Sequence, residues 1–362
     1  MNNNERNLIL AINPGSTSTK IAIYDHSKVV WQCIIRHSTT KLSRYNNISE
    51  QLPFRKQLIL EQLDIADIDW SSLRAVIGRG GMIKPVASGV YLVNELLKEH
   101  LRTGFQGQHA SNLGGLIAAD IAAMCPHDIP AYIADPVVVD ELQPFARISG
   151  HPLFERRSIF HALNQKAVAR VFSRKMNIPY EEMNLVVAHL GGGISVGAHY
   201  RGRVIDVNQA LDGEGPFSPE RSGTLPAGQL VDKCFSGDYT RKDITMMLNG
   251  KGGLTALCGI NDVQQLVGFA QAGDQQTQLY LEALCYQVAK EIGAMSAVLK
   301  GDLTAIILTG GIAYSEWITD RIAQFVNFIA PVHVFPGEDE MAALALNAQM
   351  ALSGEITVKE YR

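Results

Sequence analysis

"LILAINPGSTSTKIAIYD", Leu8 to Asp25, sets two runs of β-forming residues around a loop of small and hydroxylated residues that ends in Lys20. After the lysine, "KIAIYD" alternates apolar with other residues, so the predicted unit is strand–loop–strand. A P-loop requires a second glycine and a helix after its lysine, and neither is present. The turn can offer backbone N–H groups, the hydroxyls of Ser16 and Ser18 and the Lys20 ammonium to an anion. Taken alone, the segment serves equally well as a polar hairpin turn without a ligand.

A repeat changes the weight of that stretch. At an offset of 177 residues (Leu8 to Leu185), "LVVAHLGGGISVGAHYRG" repeats the pattern of apolar strand, Gly/Ser loop and second strand. Ala11, Gly15 and Ser18 fall against Ala188, Gly192 and Ser195. The repeat suggests a duplicated domain whose two loops face each other across a cleft and hold a triphosphate; two unrelated Gly-rich hairpins are the plainer alternative. A third glycine feature, "AIILTGGIAYSEWI" (Ala305 to Ile318), runs a buried strand through Gly310-Gly311 into a helix. Glycine there admits a flat ligand or close helix packing.

Length and composition bound the rest. At 362 residues two domains are the expectation. A net charge of −4 with no Lys/Arg stripe argues against nucleic acid as partner. Five scattered cysteines without a C-x-x-C fit reduced thiols and a cytoplasmic location. No apolar run approaches the ~18 residues of a membrane span. Helical spacing marks Val93, Leu96, Leu97 and Leu101 in "GVYLVNELLKEHL", and Leu163, Ala167, Val168, Val171 and Phe172 in "IFHALNQKAVARVF". "NLGGLIAADIAAM" reads as a small-residue helix. The longest predicted helix carries Leu281, Leu284, Val288, Ile292, Met295 and Leu299 on one stripe.

Charged residues stand at strand ends beside glycine or proline: Arg79, His109, Asp135, His161, His189 and Arg221. Singly, each has an ordinary structural use. His109 suits a helix cap, Asp135-Pro136 a turn, and Arg221 a mobile polar loop.

Together, "INPGSTSTK", "IGRGG", "GQHASNLGG", "IADPVV", "RRSIFHALNQKAV", "VAHLGGGISVGAH", "GPFSPERSGTLP", "TGGIAYS" and "FPGEDEM" resemble the acetate kinase family, and within it the butyrate kinases. That family belongs to the sugar kinase/heat-shock protein/actin superfamily, and the match runs in order along the whole chain. The resemblance implies an α/β fold of two duplicated actin-like (ribonuclease H-like) domains with an ATP cleft between them. The domains are expected at 1–153 plus 342–362 and at 154–341. It further implies reversible transfer of the ATP γ-phosphoryl group to a short-chain carboxylate, with ATP/ADP and Mg²⁺ as cofactors and an acyl phosphate as product. A homo-oligomer, dimer or higher, is expected.

Position by position, the resemblance assigns catalytic roles to Asn13, Arg79, His109 (with Asn112), Asp135, His161 and Arg221. Arg79 takes the carboxylate, and His161 and Arg221 the transferred phosphoryl group. Ser16, Ser18 and Lys20 fall in the first phosphate loop, and His189, Gly191, Gly192 and Gly193 in the second. Asp262, Gly310, Gly311, Ile312 and Ser315 fall at the adenosine. Mg²⁺ falls to Asn13, Asp339 and Glu340. Two positions depart from the family: Asp262-Val263-Gln264 lacks its arginine, and Glu338-Asp339-Glu340 leaves the choice of metal-binding acid open. An acetate or propionate kinase is the nearest alternative. An ATP-driven switch without an acyl acceptor is the alternative from another class; it has no need of Arg79, His161 and Arg221.

Overall fold

The computed structural model describes residues 7–362. The opening stretch is the expected hairpin, β1 (Leu8–Pro14) against β2 (Ser18–Asp25), and β3 (Lys28–Arg36) continues it antiparallel. Every residue of β1 is buried, as the near-continuous apolar run of an inner strand requires. β3 is an edge strand and keeps its alternation, with Lys28 and Arg36 in solvent.

The chain divides into two units: residues through Val139 with Asp339–Arg362, and Asp140–Glu338. These bounds differ from the sequence expectation of 153/154 and 341/342. Unit 1 adds β4 (Leu73–Arg79), β5 (Val90–Leu92) and β6 (Ala131–Ala134), giving the order β3-β2-β1-β4-β6-β5. Unit 2 contains β7 (Asn184–Leu190), β8 (Ile194–Tyr200), β9 (Arg203–Val207), β10 (Ala305–Gly310) and β11 (Val332–Pro336), in the order β11-β10-β7-β8-β9.

The two orders are the same path. In each, a three-stranded antiparallel meander is followed by two strands added parallel beyond its first strand. The repeat read from sequence is therefore a repeat of topology; unit 1 differs by its antiparallel edge strand β5.

Helix Gln275–Val298 packs its stripe on the unit 2 sheet, with Leu281, Leu284, Val288 and Ile292 at 0% exposure. Each such side chain contributes ~1.5–3 kcal/mol of burial. Two sequence expectations are corrected. Val90–Leu92 is a strand, because Asn94 accepts the Leu97 N–H and starts the helix only at Glu95. Val171 stands 45% exposed on helix Ala162–Met176, whose buried face runs through Leu163, Val168, Ala169 and Phe172. Among the described residues no helix is long and apolar enough to cross a membrane.

Candidate active site

In unit 1, β1, β4 and β6 are parallel neighbours, and their carboxyl ends carry Asn13, Arg79 and Asp135. Ligands of such sheets bind at strand carboxyl ends. Glycine brings Arg79 there: a Cβ on Gly78 would lie 2.1 Å from the Gly114 carbonyl oxygen, and one on Gly114 2.3 Å from that of Arg79. The glycines of "IGRGG" and "NLGG" thus let β4 and helix Asn112–Ala122 meet backbone to backbone.

Helix Glu340–Leu352 packs on β1 and β4 and opens with Glu340 at the same place. The Arg79 fork grips it: Nη1 lies 3.0 Å from Oε2 and Nη2 3.0 Å from Oε1. Asn13 Nδ2 donates to Glu340 Oε2 at 2.5 Å. Asp339 is exposed and caps that helix by accepting from the Ala342 N–H. Asp135, buried with φ of +37°, accepts from Ser88 Oγ and the Gly89 N–H.

His109 is exposed at the start of helix Asn112–Ala122, where its Nδ1 accepts the Ser111 N–H. The Asn112 side chain does not pair with that ring. It accepts from the Met82 N–H and donates to the Gly107 carbonyl, tying two loops together.

The first loop holds a residue that the sequence reading missed. Arg55 is 0% exposed on helix Leu52–Ile65. Its Nη1 donates to the carbonyls of Gly15 and Ser18 and to Thr19 Oγ1, and its Nη2 to the carbonyl of Ser16 and to Gln51. The Thr17 carbonyl accepts from the His37 N–H. Every carbonyl from Gly15 to Ser18 is thereby satisfied from within the protein. Across a trans peptide the following N–H points the opposite way, so the loop turns N–H groups away from Arg55. Burial lowers the Arg55 pKa to about 10. The one sequence signal was an arginine in line with Ile59 and Leu63 at four-residue spacing. On the open side, Lys20 is exposed and pairs with Asn13 across the hairpin, on the same sheet face. Ser16 is exposed and Ser18 partly so.

In unit 2 the second loop follows β7. A Cβ on Gly193 would lie 1.7 Å from Arg221 Nη1, so the guanidinium rests directly on this glycine. Arg221 Nη1 donates to the Ala210 carbonyl, while its buried Nε has no partner. Burial pulls its pKa down, against the raising effect of Glu220 and Asp212. The Ser218 hydroxyl donates to the Gly192 carbonyl at 2.6 Å and also accepts the Arg221 N–H, joining loop and arginine.

The rings of His161 and His189 stack with centroids 3.8 Å apart and an interplanar angle of 11°. Glu338 reaches His189 Nε2 at 3.0 Å, within ion-pair distance but without hydrogen-bond alignment.

A cavity of about 580 Å³ opens beside the loop, lined among others by Gly191, Gly192, Asp262, Gly311, Ile312 and Ser315. That volume suits a small ligand. Gly310, with φ of +93°, lies at the end of β10, just before this lining. Asp262 caps helix Val263–Gln271 through the Gln265 N–H, and Gln264 also lines the cavity.

Residues 151–330 match the model of the Acetokinase family. The chain has the fold of an acetate kinase from Porphyromonas gingivalis, at a TM-score of 0.78 and 16% identity, covering 96% of this chain and 100% of that one. A propionate kinase from Francisella tularensis gives 0.70 and 19%, covering 94% and 98%. An acetate kinase from Entamoeba histolytica gives 0.71 and 19%, covering 94% and 99%. Residues 151–330, from before His161 to beyond β10, are thus similar to the Acetokinase family, and the chain has the fold of these acetate and propionate kinases.

Proposed function

We propose that the chain phosphorylates a short-chain carboxylate at the expense of ATP, with butyrate or a branched analogue as the preferred acceptor. The observation that carries this reading is the Arg79 fork, which already holds a carboxylate, that of Glu340, beside Asn13. Planar guanidinium and carboxylate match in a two-bond pair, and an acceptor carboxylate would take the same fork.

A carboxylic acid with a pKa of ~4–5 is ionised at pH 7, so the nucleophile needs no general base. Its oxygen forms a bond to the γ-phosphorus, the bond to the bridging oxygen breaks, and ADP leaves with that electron pair. The obstacle is the approach of one anion to another, so catalysis rests on positive charge and alignment. Arg221 and His161 would contact the phosphoryl oxygens as charge spreads in line. Lys20 and the outward N–H groups of Ser16 and Thr17 would hold phosphate in unit 1, and Gly191 to Gly193 in unit 2. The unit 2 cavity would take the adenosine, with Gln264 where the family has an arginine.

Among the described residues no group of three or more His, Cys, Asp or Glu forms a metal cage. Asn13 and Glu340 offer hard oxygen donors, which fits Mg²⁺ arriving with its waters and the nucleotide phosphates. Of the three acids, Glu340 is the better placed, since it adjoins Asn13 and Asp339 is spent on the helix cap. When bound, Mg²⁺ would neutralise phosphate charge. For the acceptor to take the Arg79 fork, Glu340 would have to leave it.

Acetate or propionate is the second reading, favoured by the acceptors named for the matching structures. Hydroxylamine trapping of acyl phosphate with ATP–Mg²⁺ across straight and branched C2–C6 acids separates them. A C4 or branched optimum supports the first reading and a C2–C3 optimum the second. ATP turnover indifferent to every acid overturns both.

A further inference from the structure

Behind His161, unit 2 buries a row of polar side chains for which phosphoryl transfer has no direct use. Tyr180 is 4% exposed, and Gln165, Ser195 and His199 are 0%. Tyr180 Oη lies 2.6 Å from His199 Nδ1, and His199 Nε2 lies 2.9 Å from Gln165 Oε1. Gln165 Nε2 reaches both the carbonyl oxygen and Oγ of Ser195, at 3.0 and 2.9 Å. Ser195 Oγ lies 2.9 Å from His161 Nδ1.

Chemistry fixes the direction of each bond. The Ser195 carbonyl can only accept, so the Gln165 side facing it must be the NH₂ group, and Oε1 faces His199. A carboxamide oxygen only accepts, so His199 carries its proton on Nε2. Burial, with the charges of Lys166 and Arg170, holds His199 well below the usual histidine range and therefore neutral. Its Nδ1 is then an acceptor, and the Tyr180 hydroxyl donates to it. Around Ser195 Oγ stand two donors, Gln165 Nε2–H and the more distant His161 backbone N–H at 3.5 Å. His161 Nδ1 is the group left to take the serine proton.

We propose that Gln165 and Ser195 are positioning residues that hold His161 with its ring proton on Nε2, at the end of a one-way chain Tyr180→His199→Gln165→Ser195→His161. The stacked partner carries a proton on its other nitrogen, Nδ1. His189 Nδ1 donates to Asn164 Oδ1 at 2.8 Å, because that oxygen can only accept. His161 thus presents a fixed N–H dipole, ready before charge develops on a phosphoryl oxygen. Its use there rests on the proposed carboxylate kinase reading; the ring's proton position does not.

The test is ¹⁵N-histidine NMR of the free protein at neutral pH, with the Ser195→Ala, Ser195→Thr and Gln165→Met variants. In the unsubstituted protein His161 is expected to show the Nε2–H pattern. Ser195→Ala and Gln165→Met shift it toward a mixture of tautomers, and Ser195→Thr, which keeps the hydroxyl, preserves it. The Nδ1–H pattern of His189 is the internal control for folding. A proton on His161 Nδ1, or an unchanged tautomer in both the Ser195→Ala and Gln165→Met variants with His189 intact, overturns the proposal.

The same variants assayed by acyl hydroxamate should lose ~10- to ~100-fold in kcat with KM for ATP nearly unchanged, less than the ~10²–10³ of deleting such a donor outright. An equal rise in KM counts against positioning. An expected NMR result with no acyl phosphate formed leaves the chain of bonds standing and removes the carboxylate kinase reading alone.

Discussion

The two copies of the repeat hold their loops by opposite means. In unit 1 the loop from Gly15 to Ser18 is braced from behind: a buried arginine binds its carbonyls and the open side is left to Lys20. In unit 2 an arginine lies on the loop itself, with Arg221 against Gly193. One topology thus supplies a rigid cradle in one copy and a seat for a cation in the other. A buried cation that satisfies backbone carbonyls serves architecture. The other cation, Arg221, keeps a buried Nε without a partner, and it is the one to which the proposed function assigns the transferred phosphoryl group.

Glycine substitution breaks the comparison most sharply. Gly193→Ala drives a methyl group into Arg221, and kcat is expected to fall ~10²–10³-fold, as for loss of a transition-state donor. Gly15→Ala meets the Ser18 carbonyl oxygen only at 3.4 Å, ordinary contact, and its rate should stay within about twofold. Steady-state acyl phosphate assays of the pair decide it; equal losses would mean that the loops work alike.

Arg55→Met removes the brace and leaves the Gly15 and Ser16 carbonyls without their donor. Unfolding in urea should show unit 1 destabilised by ~3 kcal/mol or more, since each orphaned group costs ~1–3 kcal/mol. Arg221→Met should leave the urea midpoint nearly unchanged while kcat falls. A stability loss as large for Arg221 would erase the distinction between brace and catalyst.

Lys20→Met keeps most of the stem and removes the charge. Titration calorimetry should give ATP binding weaker by ~10-fold, near 1.4 kcal/mol. ADP should lose less and adenosine almost nothing. Equal weakening for all three would point to a loosened hairpin, and unchanged ATP binding to a plain turn.

The smallest expected effect is on pH dependence. Burial, with the nearby Arg55 charge, lowers the His37 pKa from 6.5 to about 4. The Thr19 hydroxyl, which accepts from Arg55, lies 2.8 Å from His37 Nε2, and the buried Nδ1 has no partner. Between these values the unfolded chain binds a proton that the native protein refuses. Stability from this group is full above pH 6.5 and is lost as pH falls toward 4. His199 acts in the same direction in unit 2. Urea midpoints at pH 7 and 5 should therefore drop in both units, and His37→Gln should flatten the unit 1 share alone.

Much of this was legible because it is local. The alternation of "KIAIYD", the stripe from Leu281 to Met295 and the doubled strand–loop–strand each record a neighbourhood of a few residues. Local patterning misled where a cap outranked it, as at Asn94, and where a stripe ran past the packed face, as at Val171. Arg55 was illegible because a charged residue on a buried face has no period of its own; its partners lie 36 to 40 residues away except for Gln51.

The sequence by itself determined that two similar hairpins exist, with small residues in their loops and glycines ready for close contact. That follows from side-chain size and alternation, which act between neighbours along the chain. Only the tertiary structure decided that Asn13, Arg79 and Asp135 share one sheet end, because parallel pairing joins strands distant in sequence. It also decided that the Arg79 fork meets Glu340, 261 residues on. Electrostatic partners are chosen by distance in space, and no periodicity records that.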